Sequence, residues 1–297
     1  MTQSNELVLR AGNPVFRSGV STLLDITPES AGWGWTGMKV FELEPDATVT
    51  IELVDAEYLV LPLSGSGVVR SGGTEFELVG RTGVFDAVSD FAYVGRGTSA
   101  TLTSPTGGKF AVPSAHTQRQ LPFRYGAASA VSVELRGAGT ASRQVNNFCT
   151  PETFDADRLI ACEVITPAGN WSSFPPHKHD EDRPGESVLE EIYYYEVAAG
   201  PAGEGIGYQR VYGTAERPID VLAEVRSGDA VLIPHGWHGP SMAVPGYNLY
   251  YLNAMAGPGL ERAWRICDDP AHAWVRETWP GLTIDPRLPM YGSPGAK

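Results

Sequence analysis

The chain is short of the residues that build disulfide frameworks and nucleic-acid surfaces. It has 3 cysteines in 297 residues, and Cys149, Cys162 and Cys267 are widely spaced. This argues against a disulfide-stapled scaffold, and without a C-x-x-C pair there is no zinc-ribbon signal. A reduced, cytosolic setting is expected. Positive charge is also scarce: 22 Lys and Arg stand against 35 Asp and Glu, a formal net charge of −13. That excess disfavours nucleic acid and anionic membranes as partners, whereas a small anionic ligand needs only a local basic pocket. No apolar run reaches the roughly 18 residues of a membrane span. Residues 1–20 are polar and charged throughout, unlike a secretion signal. Apolar stripes of helical period are scarce, and no Gly-x-Gly-x-x-Gly strand–turn–helix fingerprint appears. A nucleotide cofactor is therefore not expected, and any redox chemistry would stay inside the substrate.

The abundant residues point to strands. The 34 glycines and 23 prolines punctuate short runs rich in Val, Ile, Leu, Tyr and Phe. Examples are Tyr58-Leu59-Val60-Leu61-Pro62-Leu63, Phe76-Glu77-Leu78-Val79 and Ala230-Val231-Leu232-Ile233. Short strands between turn residues read as an all-β chain. Short helices are expected only within 115–125 and 258–278. Two copies of one plan are also visible. Glu57-Tyr58-Leu59-Val60-Leu61 runs to Gly65 as Glu191-Ile192-Tyr193-Tyr194-Tyr195 runs to Gly200. The small-residue stretch from Arg136 to Arg143 is the expected junction, giving units at 1–140 and 141–297. The first unit holds one histidine, His116, outside the strand pattern, so it is expected to carry no metal site.

Histidine is scarce but clustered. Of 6 in the chain, His177, His179, His235 and His238 fall within one stretch. An H-x-H pair on a strand puts both imidazoles on one face, because side chains alternate. Lys178, between them, then points the other way and reads as a solvated lysine or a contact between units. Glu190 and Glu191 open an aromatic strand, and Glu191 is preferred as a ligand because it directly precedes Ile192-Tyr193-Tyr194-Tyr195. His238 follows the turn Pro234-His235-Gly236, and is preferred over His235 inside that turn. Three imidazoles and one carboxylate form a mixed nitrogen–oxygen site for one divalent transition metal, and ligand type alone does not choose among Zn, Mn, Fe, Co and Ni.

Together these segments suggest a metal-binding cupin barrel, and more specifically they resemble the bicupin isomerases of deoxy-uronic acids. The resemblance is carried by Ala31-Gly32-Trp33-Gly34-Trp35, by Arg136-Gly137-Ala138-Gly139-Thr140-Ala141-Ser142-Arg143-Gln144-Val145, by Pro175-Pro176-His177-Lys178-His179-Asp180 through Leu189-Glu190-Glu191-Ile192-Tyr193-Tyr194, and by Tyr250-Tyr251-Leu252-Asn253-Ala254-Met255-Ala256-Gly257. Within that group it is most similar to the 5-deoxy-glucuronate isomerase family of myo-inositol catabolism. The resemblance implies two cupin barrels in tandem, the first degenerate. It implies conversion of 5-deoxy-glucuronate, a small anionic sugar acid, to 5-dehydro-2-deoxy-gluconate in the cytoplasm. It also implies ligands at His177, His179, Glu191 and His238, with zinc first and manganese or iron as alternatives. A homo-oligomer is compatible with it. Two other readings share the ligand set: isomerisation of another deoxy-uronate such as 5-keto-4-deoxyuronate, and a metal-dependent bicupin dioxygenase.

An aldose–ketose isomerisation needs an electrophile at the carbonyl, a hold on the carboxylate and a proton route. Arg143 is the candidate for the carboxylate, since guanidinium binds it bidentately; an inter-unit salt bridge is its alternative. Tyr251, then Tyr193, are the candidates for moving the proton. Trp237, Trp264, Trp274 and Trp279 read as packing.

Overall fold

A computed structural model describes residues 6–291. The short β-branched and aromatic runs form strands throughout, so the chain is all-β as expected. In the first half, Ala56–Ser71 is 16 residues long and pairs along its length with Thr74–Arg81, Phe91–Val94, Ala100–Ser104 and Gly108–His116. One strand shared by four neighbours curls the 10-stranded sheet into a barrel. Its interior is filled by Phe41, Leu43, Tyr58, Val60, Leu102, Phe110 and Val112, a closely packed apolar cluster.

The second barrel is a sandwich of a 7-stranded and a 6-stranded sheet. The larger runs in the order Val8–Leu9, Ala230–Ile233, Glu190–Val197, Leu249–Ala256, Ile160–Thr166, Arg143–Cys149, Ser132–Arg136. The smaller contains Asp220–Val225, Gly207–Tyr212, Trp237–Ala243, His177–Lys178 and Cys267–Asp268. The stretch read as a junction is a hairpin turn inside the larger sheet, because Ser132–Arg136 pairs with Arg143–Cys149. A boundary at 140/141 thus falls within that turn, and Val8–Leu9 also belongs to the second sheet. Small residues serve a tight reversal here: Gly137 has φ 78°, and a Cβ on it would stand 2.1 Å from the Ala141 carbonyl oxygen.

The barrels share one apolar core between them, from Met38 and Leu59 on one side to Leu252 and Ala254 on the other. Two glutamates clasp it reciprocally. Glu57 accepts backbone N–H groups of Asp157, Arg158 and Leu159 from the second half. Glu190 accepts those of Gly34, Trp35 and Thr36 from the first. Glu57 pairs across its strand with Ala115, and Glu190 with Ala256. The internal repeat therefore matches Glu57 to Glu190, one position away from the sequence alignment with Glu191. Arg81 of the first half and Glu163 of the second add a fully buried bidentate pair at 2.8 and 2.9 Å.

Residues 115–125 contain no helix, since the strands Gly108–His116 and Arg124–Gly126 occupy both ends of that segment. The second expected helix is a 3-10 segment, Ala273–Gly281, preceded by the strand Cys267–Asp268. Among the described residues no helix is long and apolar enough to cross a membrane, and Cys149, Cys162 and Cys267 are free thiols.

Candidate active site

The H-x-H pair sits at the edge of a very short strand, and His177 lies directly opposite His238 across the sheet. The ligand nitrogens of His177, His179 and His238 all lie within 4.8 Å of one another. Glu191 faces them from the opposite sheet: its Oε2 is 3.1 Å from His179 Nε2 and 3.0 Å from His238 Nε2. The four residues preferred from sequence therefore meet at one point. Glu190 points to the other barrel, as alternation along the strand requires. His235 stays in the turn, half-buried near Arg217 and Asp180.

The imidazoles are oriented to offer lone pairs. His179 Nδ1 is 3.1 Å from the Leu189 carbonyl, and His238 Nδ1 is 3.1 Å from the Gly236 carbonyl. A carbonyl accepts, so each Nδ1 carries the hydrogen and each Nε2 is free to ligate. Burial, then the neighbouring His238 and His179, lowers His177 well below the ordinary imidazole value. Burial opposes ionisation of Glu191, but His179 and His238 hold its carboxyl down to about 2. His238 Nε2 is buried and, although close to Glu191, has no hydrogen bond. An orphaned nitrogen beside a carboxylate and two further imidazoles is the donor set of a divalent transition metal, so these residues fit such an ion.

Lys178 departs from its expected solvated role. It is buried, and its ammonium donates to Asp180, Glu181 and Glu186 at 2.6 to 2.8 Å. The Trp237 ring lies 5.5 Å away. Burial works against its charge, yet the three carboxylates raise its pKa above the ordinary lysine value. Asp180 in turn accepts the Gly236 N–H at 2.9 Å, so this cage ties the H-x-H segment to the turn that carries His238.

The interior wall beyond Glu191 is tyrosine-rich. Tyr193 and Tyr251 rings are 4.9 Å apart, and Ser173 Oγ lies 3.2 and 3.1 Å from their hydroxyls. Tyr195 donates to Gln209 at 2.8 Å. Burial pushes the Tyr251 phenol up to about 12. Ser173 was not among the sequence candidates; nothing in Ser172-Ser173-Phe174-Pro175 announces that it bridges two tyrosines. It has a left-handed φ of 49°, and Gly239 packs so close that a Cβ there would stand 1.8 Å from the Ser173 carbonyl oxygen.

Arg143 makes no ion pair among the described residues; its one hydrogen bond goes to the Ala141 carbonyl at 3.2 Å. Burial lowers it from the ordinary guanidinium value, with Tyr251 and Tyr193 among its electrostatic neighbours. A guanidinium stays charged at neutral pH, so the wall holds a cation with no carboxylate in direct contact among the described residues, although Glu134 feels its charge. The four tryptophans do not form one packed stripe: Trp237 covers Lys178, Trp264 lies over Arg136, Trp279 lies against Arg276, and Trp274 is exposed.

Known proteins share both sequence and fold with this chain. The chain is 42% identical over 256 residues to the 5-deoxy-glucuronate isomerase of Geobacillus kaustophilus, covering 85% of this chain and 90% of the relative. It is 36% identical over 276 residues to the enzyme of the same name from Halalkalibacterium halodurans, covering 92% and 100%. The crystal structure of an IolB-like protein from Salmonella typhimurium superposes with a TM-score of 0.81 at 33% identity, covering 91% of this chain and 98% of that one. The oxalate decarboxylase of Lactobacillus farciminis shares the two-barrel cupin fold at a TM-score of 0.62 and 11% identity, over 88% of each chain. With residues 8–275 also matching the family model of that description, the chain belongs to the KduI/IolB family.

Proposed function

We propose that this protein is a metal-dependent 5-deoxy-glucuronate isomerase. The observation that carries the reading is the buried meeting of His177, His179, His238 and Glu191 in a chain 42% identical to a relative of that name. The reaction moves two hydrogens: C2 gives up one as C1 gains one, and the C2 hydroxyl gives up its proton as the aldehyde oxygen gains one, so the aldehyde becomes a hydroxymethyl group and C2 a ketone with no net oxidation. A divalent ion held by the three histidines and Glu191, zinc in our assignment with manganese or iron as substitutes, would polarise the substrate oxygens. Arg143 supplies the charge for the substrate carboxylate. Tyr251, whose phenol burial keeps protonated, donates to a substrate oxygen, and Ser173 links it to Tyr193. The buried, tyrosine-lined wall limits the access of water to the reacting carbons. We place the enzyme in the cytoplasm, in myo-inositol catabolism.

Three substrates offered side by side to the metal-loaded protein test the assignment: 5-deoxy-glucuronate, 5-keto-4-deoxyuronate and glucuronate. The first should be turned over with the highest kcat/KM. Faster turnover of the second would move the assignment to the other deoxy-uronate, and oxygen consumption would move it to dioxygenase chemistry.

A further inference from the structure

Asn253 is a polar side chain of the second barrel's interior that no protein group answers. Its cross-strand partners are Cys162 on one side and Tyr193 on the other, and Cys162 pairs in turn with Asn147. Directly opposed side chains share a face, so Asn147, Cys162, Asn253 and Tyr193 form one row across the wall. Glu191 is two residues before Tyr193, which puts the metal-facing carboxylate in the next row, on the order of 7 Å diagonally from Asn253. Asn253 is 3% exposed and Asn147 5%. Asn253 makes no hydrogen bond among the described residues, and its Nδ2 is fully enclosed. Asn147 donates from Nδ2 to Glu134 at 3.5 Å and leaves Oδ1 unanswered. The enclosed indole N–H of Trp264, whose ring lies over Arg136, is a third unpaired group.

Buried amides are almost always paired, because leaving one unpaired is costly. The unanswered atoms here include donors and an acceptor. Asn253 Nδ2 calls for an acceptor, and Asn147 Oδ1, two strands away at roughly 10 Å, calls for a donor. A hydroxyl both donates and accepts, and so fits both. We propose that Asn253 and Asn147 read the hydroxyls of the substrate's carbon chain, and that this row sets which polyhydroxy acid the site accepts. The inference deepens the isomerase reading and rests on it for the identity of the substrate.

The test replaces Asn253 by Leu, which keeps the branched outline and removes both polar atoms, and by Asp, which keeps shape and removes the donor. Metal per chain should match the wild type in both, and the melting temperature of N253L should hold or rise, because an unpaired buried amide has gone. kcat/KM for 5-deoxy-glucuronate should fall roughly tenfold or more in both. Binding of D-gluconate, an unreactive polyhydroxy acid, is measured by calorimetry on the same metal-loaded proteins and should weaken by a similar factor. Equal gluconate binding by wild type and both variants, or none by the wild type, overturns the Asn253 assignment. Gluconate binding that weakens in the variants, with no turnover of 5-deoxy-glucuronate by the wild type, would instead remove the isomerase reading and leave the hydroxyl row standing.

Discussion

A single atom separates a ligand from a bystander at this site. His179 Nε2 and His238 Nε2 both face Glu191, with their hydrogens held at Nδ1 by the Leu189 and Gly236 carbonyls. Replacing His179 by Ala should therefore lower metal occupancy and activity together, while His235→Ala should leave both near the wild type; elemental analysis beside a rate assay reads this directly. Equal losses in the two variants would mean that the third imidazole comes from residue 235. Arg143→Met should raise KM for the uronate by about tenfold or more with metal content unchanged, since one charge-assisted contact is lost; an unchanged KM would place the carboxylate elsewhere. Part of this geometry was legible in the sequence: period two puts Glu190 and Glu191 on opposite faces and Tyr193 on the face of Glu191, while Glu191 was preferred for its place directly before Ile192-Tyr193-Tyr194-Tyr195 and His238 for its place after the turn. Ser173 was not legible, because its role comes from a left-handed backbone held against Gly239, which no local pattern signals.

Elements hold these residues in place through carboxylates outside the metal-facing group. Glu190 accepts three backbone N–H groups from the opposite barrel. Its change to Ala should cost about 2 kcal/mol of stability, read as a lower unfolding midpoint in urea, while metal content per folded chain stays the same. Lys178→Met would remove the buried cation that Asp180 and Glu186 share, leaving them only the half-exposed Arg217 and Arg183. That should destabilise by about 3 kcal/mol and weaken metal binding about tenfold, because Asp180 also holds the Gly236 N–H. Wild-type metal affinity in K178M would show that the cage does not position the histidines. At this scale the sequence misled in two ways. An alternating pattern says that Lys178 points away from the histidines but not whether water or an acidic cage waits there. A run of Gly, Ala, Thr and Ser looks the same as a linker or as a hairpin turn, and only pairing of Ser132–Arg136 with Arg143–Cys149 decides.

For the whole molecule, one plan used twice gives two different interiors. The first barrel is filled by Phe41, Tyr58, Phe110 and Val112, whereas the second carries histidines, tyrosines and unpaired amides around Glu191. Tyr58 follows Glu57 as Glu191 follows Glu190, so the position of the carboxylate is occupied in the first barrel by a buried phenol that donates to the Ile51 carbonyl. The all-β class was readable from turn spacing; the exchange of Val8–Leu9 into the far sheet was not, because two residues carry no periodicity. The central claim is that one metal-bearing barrel per chain isomerises 5-deoxy-glucuronate without an external oxidant. The most direct measurement runs the reaction anaerobically in D₂O without nicotinamide or flavin, on chelator-stripped protein and on the same protein reloaded with about one equivalent of metal, with the product read by NMR. Conversion to 5-dehydro-2-deoxy-gluconate is expected only after reloading, with deuterium entering at the former C1. Equal conversion by the stripped protein, or none without oxygen, would contradict it.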